Sequence, residues 1–395
     1  MTREVAVWSY PWDLHDLGLD AALEMLAAQG VNTVSLATSY HAGRFLQPGN
    51  PRRRVWFPQD GTVYYRVDPA RWERAEIAPL QADIVDTEGD YLGQLVARRD
   101  AGGAAVSCWT VCLHNTRLGM LHPAHVMRTA HGDPHYYGLC PSSPAAREYV
   151  TGLVAEISHS YRPDRIELES PDFMGFAHGY HHEKDGMGLL PEETFLLGVC
   201  FCDHCVARAT AAGVPAAAAK ATVAAFLDAA FARELPEAQV PGFPADGIDA
   251  FRAWGDLHAF LLWLREPVTS LVAEIRAAAH PDTRILLIDF EGSWWGGVDP
   301  AACAAACDGI LHCAYFTPQD RLGPLMAATR ALLRPGQTLI AGFQLFHPEV
   351  KDAEDLARRT AAVAPHVDGV NYYNLGLVPA PRLGWIARAL AAARI

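Results

Sequence analysis

Two short stretches hold carboxylates that a β-strand would aim in one direction. In Arg165-Ile166-Glu167-Leu168-Glu169 the strand period of two puts both glutamates on one face, and Ile166 and Leu168 on the other. In the run through Leu287, Asp289 and Glu291 the same period predicts one shared face. Two carboxyl groups held close together in a poorly solvated site separate in pKa, so that one can act as an acid while the other acts as a base or nucleophile. Cleavage of a glycosidic bond needs such a pair. Glu169 precedes Ser170-Pro171, and Pro171 has no donor to continue a ladder, so the strand is expected to end there. Glu169 is therefore read as the catalytic member of its pair and Glu167 as structural support. Asp289 and Glu291 are the candidates for the second catalytic group.

The cysteines form a second constellation. Cys200-Phe201-Cys202-Asp203-His204-Cys205 packs three thiols into about one turn, a spacing that suits tetrahedral zinc with a fourth ligand from elsewhere. Cys140 and His204 are both candidates for that fourth position. With four protein ligands the ion would be structural. The alternative is a set of buried, reduced thiols at a helix start.

Aromatic, amide and imidazole groups gather at the other expected strand ends. Trp12 follows the first strand, Tyr40 and His41 the second, His114 and Asn115 the third, and Trp294 the fifth; Gln344 and His347 follow the seventh, and Tyr373 closes the eighth. Aromatic faces stack on the C–H faces of sugar rings, while amides and carboxylates bind hydroxyls, so these residues are expected to bind substrate. No lysine stands at a strand end, which disfavours Schiff-base chemistry. Histidines crowd two loops: His114, His122, His125, His131 and His135 after the third strand, and His178, His181 and His182 after the fourth. They are read as hydroxyl-binding or loop-ordering groups, with a histidine–carboxylate metal site as the alternative.

The elements that must position these groups alternate. Short aliphatic runs at Val5–Trp8, Thr33–Ala37, Ala105–Val111, Arg165–Glu169, Ile285–Asp289, Gly309–Tyr315, Thr338–Phe343 and Gly369–Tyr373 are separated by alanine- and leucine-rich helical stretches. Eight such strands predict an α/β fold, a (β/α)8 TIM-type barrel spanning residues 1–395 as a single domain, with its site at the strands' C-terminal ends. Residues 170–280 show helical periodicity and the cysteine cluster but no convincing strand, and are expected to form a helical insertion after the fourth strand.

A glutamate ending the fourth strand, followed by Cys-x-Cys-x-x-Cys and preceded by one further cysteine, resembles the family 42 β-galactosidases. The resemblance implies a retaining barrel glycosidase with a cysteine zinc site, Glu169 as acid/base, and Cys140, Cys200, Cys202 and Cys205 as the zinc ligands. The chain departs from that pattern in three ways. Leu168 stands where the family has Asn, the gap from glutamate to cysteines is longer, and the seventh strand, which in the family ends in the nucleophilic Glu, here ends in Gly342-Phe343-Gln344-Leu345-Phe346-His347, with Glu349 two residues further. A strand-four and strand-five carboxylate pair, as in the α-amylase-like barrels, is the arrangement preferred in its place. More loosely, the whole chain resembles glycosyl-hydrolase-like barrel proteins.

The formal net charge is −13, from 45 acidic and 32 basic residues, which argues against nucleic acid as a partner. No charged-then-apolar leader and no apolar run of about 20 residues is apparent, so a cytoplasmic protein with no membrane partner is expected. A glycoside hydrolase or transglycosidase acting on a carbohydrate is the first reading. A metal-dependent sugar isomerase or hydrolase and a non-catalytic carbohydrate-binding barrel are the others. Whether the chain forms a homo-oligomer stays open.

Overall fold

The structure is a computed structural model that describes residues 3–178 and 182–394. Eight parallel strands close into a barrel: β1 (Glu4–Ser9), β2 (Thr33–Tyr40), β3 (Ala105–Val111), β4 (Arg165–Glu169), β5 (Arg284–Phe290), β6 (Gly309–Cys313), β7 (Thr338–Gln344) and β8 (Gly369–Tyr373). Each strand pairs with its sequence neighbour, and β1 pairs with both β2 and β8, which closes the ring. The α/β barrel expected from the sequence is the fold observed.

Strand alternation divides the apolar residues into two bodies. Val5, Val7, Val34, Leu36, Ile166, Leu168, Leu287 and Leu339 join the core between strands and outer helices. Trp8, Ala37, Trp109, Leu286, Ile288, Leu311 and Ile340 form a separate cluster inside the barrel. The inner cluster rests on a polar layer centred on Glu167, which is fully buried. Its carboxylate accepts from Trp8 Nε1 (2.9 Å), Ser35 Oγ (2.7 Å), Ser107 Oγ (2.8 Å) and Arg165 Nε (2.9 Å). Arg165 also pairs with Glu4. A charge buried so deeply is tolerable only with partners of this number and kind, and Glu167 has the structural role expected of it.

The loops at the strands' C-terminal ends build the site. A short helix, Pro11–Leu17, follows β1; its start is held by Asp13, whose carboxylate accepts from the Tyr10 N–H (2.9 Å). After β3, Asn115 caps the helix Thr116–Leu121 by accepting from Leu118 N–H (2.9 Å), and Ser143 caps Pro144–Ser160. Between β4 and β5 the described residues form helices at Pro191–Gly198, Asp203–Ala211, Ala216–Phe231, Gly255–Trp263 and Arg265–Ala278. No helix among the described residues is long and apolar enough to cross a membrane.

Candidate active site

A cavity of about 470 Å³ opens at the C-terminal mouth of the barrel. Trp8 from β1, Tyr40 from β2, Trp109 from β3, Glu169 from β4 and Tyr373 from β8 line it, with Ile288, Phe290 and Glu291 from the end of β5 and Cys313, Tyr315, Phe316 and Thr317 from the end of β6. The wall is largely aromatic. Trp109 packs against Tyr40 (ring centroids 5.0 Å) and Tyr373 (5.7 Å), and Trp8 against Tyr373 (5.9 Å).

Glu169 ends its strand facing into this cavity, while Glu167, two residues earlier on the same face, lies below it in the buried polar layer. Burial among the rings raises its carboxyl to about 7, while a hydrogen bond from the Trp109 indole N–H acts in the opposite direction. A carboxyl poised there is both an available proton donor and an available acceptor near neutrality. The surrounding phenols are held neutral. Burial pushes Tyr373 up to about 12, and Tyr40 and Tyr315 well above the ordinary phenol range.

The two strand-five carboxylates part company. Leu286 and Ile288 face the barrel interior and Leu287 the outer core, so Asp289 turns outward with Leu287 and not toward the cavity. It accepts from Ser293 Oγ (2.6 Å) and meets His312 Nδ1 at 3.0 Å, both buried. Strand geometry ends at Phe290, so the period of two no longer governs Glu291. Glu291 reaches the cavity from the following turn, held by Arg321 (2.6 Å) and Thr317 (3.0 Å). The expectation that both share one inward face with Leu287 is corrected on this point.

Of the expected substrate-binding residues, Tyr40 and Tyr373 line the cavity. His41 stacks on Tyr40 (4.2 Å) and His114 on His41 (4.1 Å), which places both imidazoles beside it. The others take different places. Trp12 is fully buried, stacked on Tyr10 at 4.5 Å. Asn115 is spent on its helix cap and on the Gly61 carbonyl (3.1 Å). Trp294 packs on Phe195 (5.5 Å) in the insertion. Gln344 is buried at the end of β7 without lining the cavity, and His347 is exposed beyond it.

Trp8 and Trp109 were not singled out from sequence, and Asp172, which follows the fourth strand, was given no role. Tryptophans inside strands read as core, and the local pattern does not say which face of the strand is the inner one. Asp172 is buried behind the cavity, and burial together with the nearby Asp289 and Glu169 raises it to about 8. A Cβ on Gly296 would lie 2.3 Å from its Oδ2 and 2.6 Å from the Phe173 carbonyl, so the turn carrying Trp294 and Trp295 closes over Asp172 only because residue 296 is glycine.

His178 meets His114 (Nε2 to Nδ1, 3.2 Å). Burial and mutual repulsion hold His114 down at about 2 and His178 at about 4, with His41 also lowered, so this trio is neutral at physiological pH. Gly179, Tyr180 and His181 lie outside the described residues.

Cys140, Cys200, Cys202 and Cys205 come together in one buried cluster, their sulfurs all within 4.8 Å of one another. Cys140 Sγ lies 3.4 Å from Cys205, 3.5 Å from Cys202 and 3.9 Å from Cys200. Four sulfurs about 2.3 Å from a central zinc ion would stand about 3.8 Å apart, so the spacing fits a tetrahedral metal. The Arg128 N–H donates to Cys200 (3.4 Å) and the Ser142 N–H to Cys140 (3.4 Å), bonds that would support thiolates. Cys140 is thus the fourth member of the cluster, and His204 stacks on His125 (5.6 Å) instead of joining it. This is the single cluster of metal-ligating type found among the described residues, so the crowded histidines form no comparable group there.

No protein-family model matches the chain, and no curated protein matches it. Solved structures do. A β-galactosidase from the haloarchaeon Halorubrum lacusprofundi superposes with a TM-score of 0.59 at 13% identity, over 98% of this chain and 57% of its own. α-L-Fucosidase isoenzyme 2 from Paenibacillus thiaminolyticus gives 0.56 at 15% identity, over 99% of this chain and 49% of its own. A β-galactosidase from Bacillus circulans sp. alkalophilus gives 0.55 at 14%, over 94% and 50%. The chain thus shares its closed barrel with glycoside hydrolases and spans about half their length. At these identities the likeness is one of fold.

Proposed function

We propose that the chain hydrolyses or transfers a glycosidic bond at the barrel mouth, with Glu169 as general acid/base. The observation that carries this reading is a carboxyl poised at about 7 in an aromatic cavity that a second carboxylate, Glu291, also lines. The protonated Glu169 would give its proton to the departing glycosidic oxygen and then, as a carboxylate, take one from water. Glu291 would serve as base or nucleophile on the other side of the sugar. Trp8, Trp109 and Tyr373 offer stacking faces. The β-galactosidases and the fucosidase that share the fold support this reading as analogy.

The four cysteines are assigned to a structural zinc ion. Bound there, zinc would tie the loop carrying Cys140 to the insertion carrying Cys200, Cys202 and Cys205. With every coordination position taken by sulfur it would leave none open for substrate.

The test is release of nitrophenol from a panel of 4-nitrophenyl glycosides that includes β-galactoside and α-L-fucoside. Turnover by the intact chain, lost in Glu169→Gln, is the expected result. Absence of turnover across the panel, with binding of the same sugars retained, would favour a non-catalytic carbohydrate-binding barrel.

A further inference from the structure

A second cavity, of about 480 Å³, lies on the same C-terminal face. The Pro134–Leu139 strand supplies His135, Tyr136 and Tyr137, and the segment after β4 supplies Phe176, Glu183 and Asp185. Its volume falls within the range of small-molecule sites. Tyr136 is 38% exposed and Phe176 39%, so two large rings present area to solvent inside one concavity. Lys184 lines it beside the Glu183 and Asp185 carboxylates. Aromatic faces beside hydroxyl-binding groups suit a neutral sugar.

The two cavities are joined by an unbroken run of rings. Tyr40, in the wall of the first, stacks on His41 at 4.2 Å; His41 meets His114 at 4.1 Å; His114 meets His178 at 4.2 Å; and His178 meets Tyr137, in the wall of the second, at 6.3 Å. The imidazoles are neutral at physiological pH; His114 is buried and bonded to His178, so the half-buried His41 and the exposed His178 are the members of the bridge that reach solvent, and they do so without charge. A track of this kind is of little use to a monosaccharide that fills the first cavity alone.

We infer that the second cavity is a distal carbohydrate subsite, and that the substrate is a neutral oligosaccharide running from Glu169 across the histidine bridge to Tyr136 and Phe176. This rests on the glycosidase reading for its first half. The distal site itself is read by binding, not by turnover.

The experiment is calorimetric titration of the Glu169→Gln chain with cellotetraose, xylotetraose and β-1,4-galactotetraose, each beside its monosaccharide. The same titrations on Tyr136→Ala and Phe176→Ala in that background follow, with circular dichroism to check folding. Expected is binding of at least one tetrasaccharide, weakened about tenfold by either distal substitution while its monosaccharide is unaffected. A more conservative Phe176→Leu should fall between. Hydrogen exchange should also slow at residues 134–139 when the tetrasaccharide binds. Equal affinity in intact and distal variants, or no tetrasaccharide binding, would overturn the inference. Should nitrophenyl glycosides still be turned over by the wild-type chain, that failure would leave the catalytic reading standing; were turnover absent as well, both would fall.

Discussion

The indole N–H of Trp109 donates to the carboxylate of Glu169. The bond crosses from β3 to β4 at the rim of the barrel, and it favours the ionised form of a group that burial otherwise drives toward the neutral one. The balance leaves the carboxyl at about 7. Trp109→Phe should remove the counterweight while keeping the ring. The descending limb of the pH–rate profile, which reports loss of the protonated acid, should move upward by about one pH unit. A limb that stays in place would separate Trp109 from the acid.

Glu169→Gln should lower kcat on an activated aryl glycoside by at least ~10² with the fold intact. Its stability should change in a direction that pH reveals. In the folded chain Glu169 holds its proton up to about 7, whereas unfolded it would release it near 4.5. Between those values the native state binds more protons than the unfolded state, so stability falls as pH rises through that window. The glutamine lacks this penalty. The melting temperature of the wild type relative to the variant should therefore drop between pH 5 and pH 8. A constant difference would mean that the carboxyl is not held as described.

Glu167, two residues earlier on the same face, should behave oppositely. Glu167→Ala leaves Arg165 buried beside the donors of Trp8, Ser35, Ser107 and Asn371, which lose their acceptor, and should cost about 3 kcal/mol in urea unfolding. Any loss of activity should track the loss of folded protein. A variant as stable as the wild type would contradict the polar layer at the barrel centre.

Purified protein should contain one zinc ion per chain by elemental analysis, and Cys202→Ser should release it. Removal by chelator should lower the melting temperature more than it lowers kcat of the protein still folded, since the cysteines stand away from the cavity lining. Metal-free protein with unchanged melting would remove the assignment.

The eight strands were legible because aliphatic runs separated by helical stretches leave little else for the chain to form. Glu169 was legible for a local reason, a strand ended by Ser170-Pro171 with its last residue facing in. Asp289 was misplaced because its strand carries apolar residues on both faces, so alternation alone could not say which face was inner. Glu291 reached the cavity only because the strand had already stopped. Trp12 and Asn115 were taken by a local helix start and a cap, demands that a strand-end tally does not register. Trp8 and Trp109 carry the same apolar signal as any buried residue; only the closed barrel shows that their side of the strand is a chamber.

The floor of that chamber has a consequence of its own. Trp8 lines the cavity with its ring and hands its indole N–H downward to Glu167, below which Arg165 and Glu4 complete the stopper. The chamber is therefore closed at its base by hydrogen bonds and ion pairs, not by apolar packing alone, and a sugar bound as proposed against Glu169 would rest on a ring whose own N–H is anchored in that stopper.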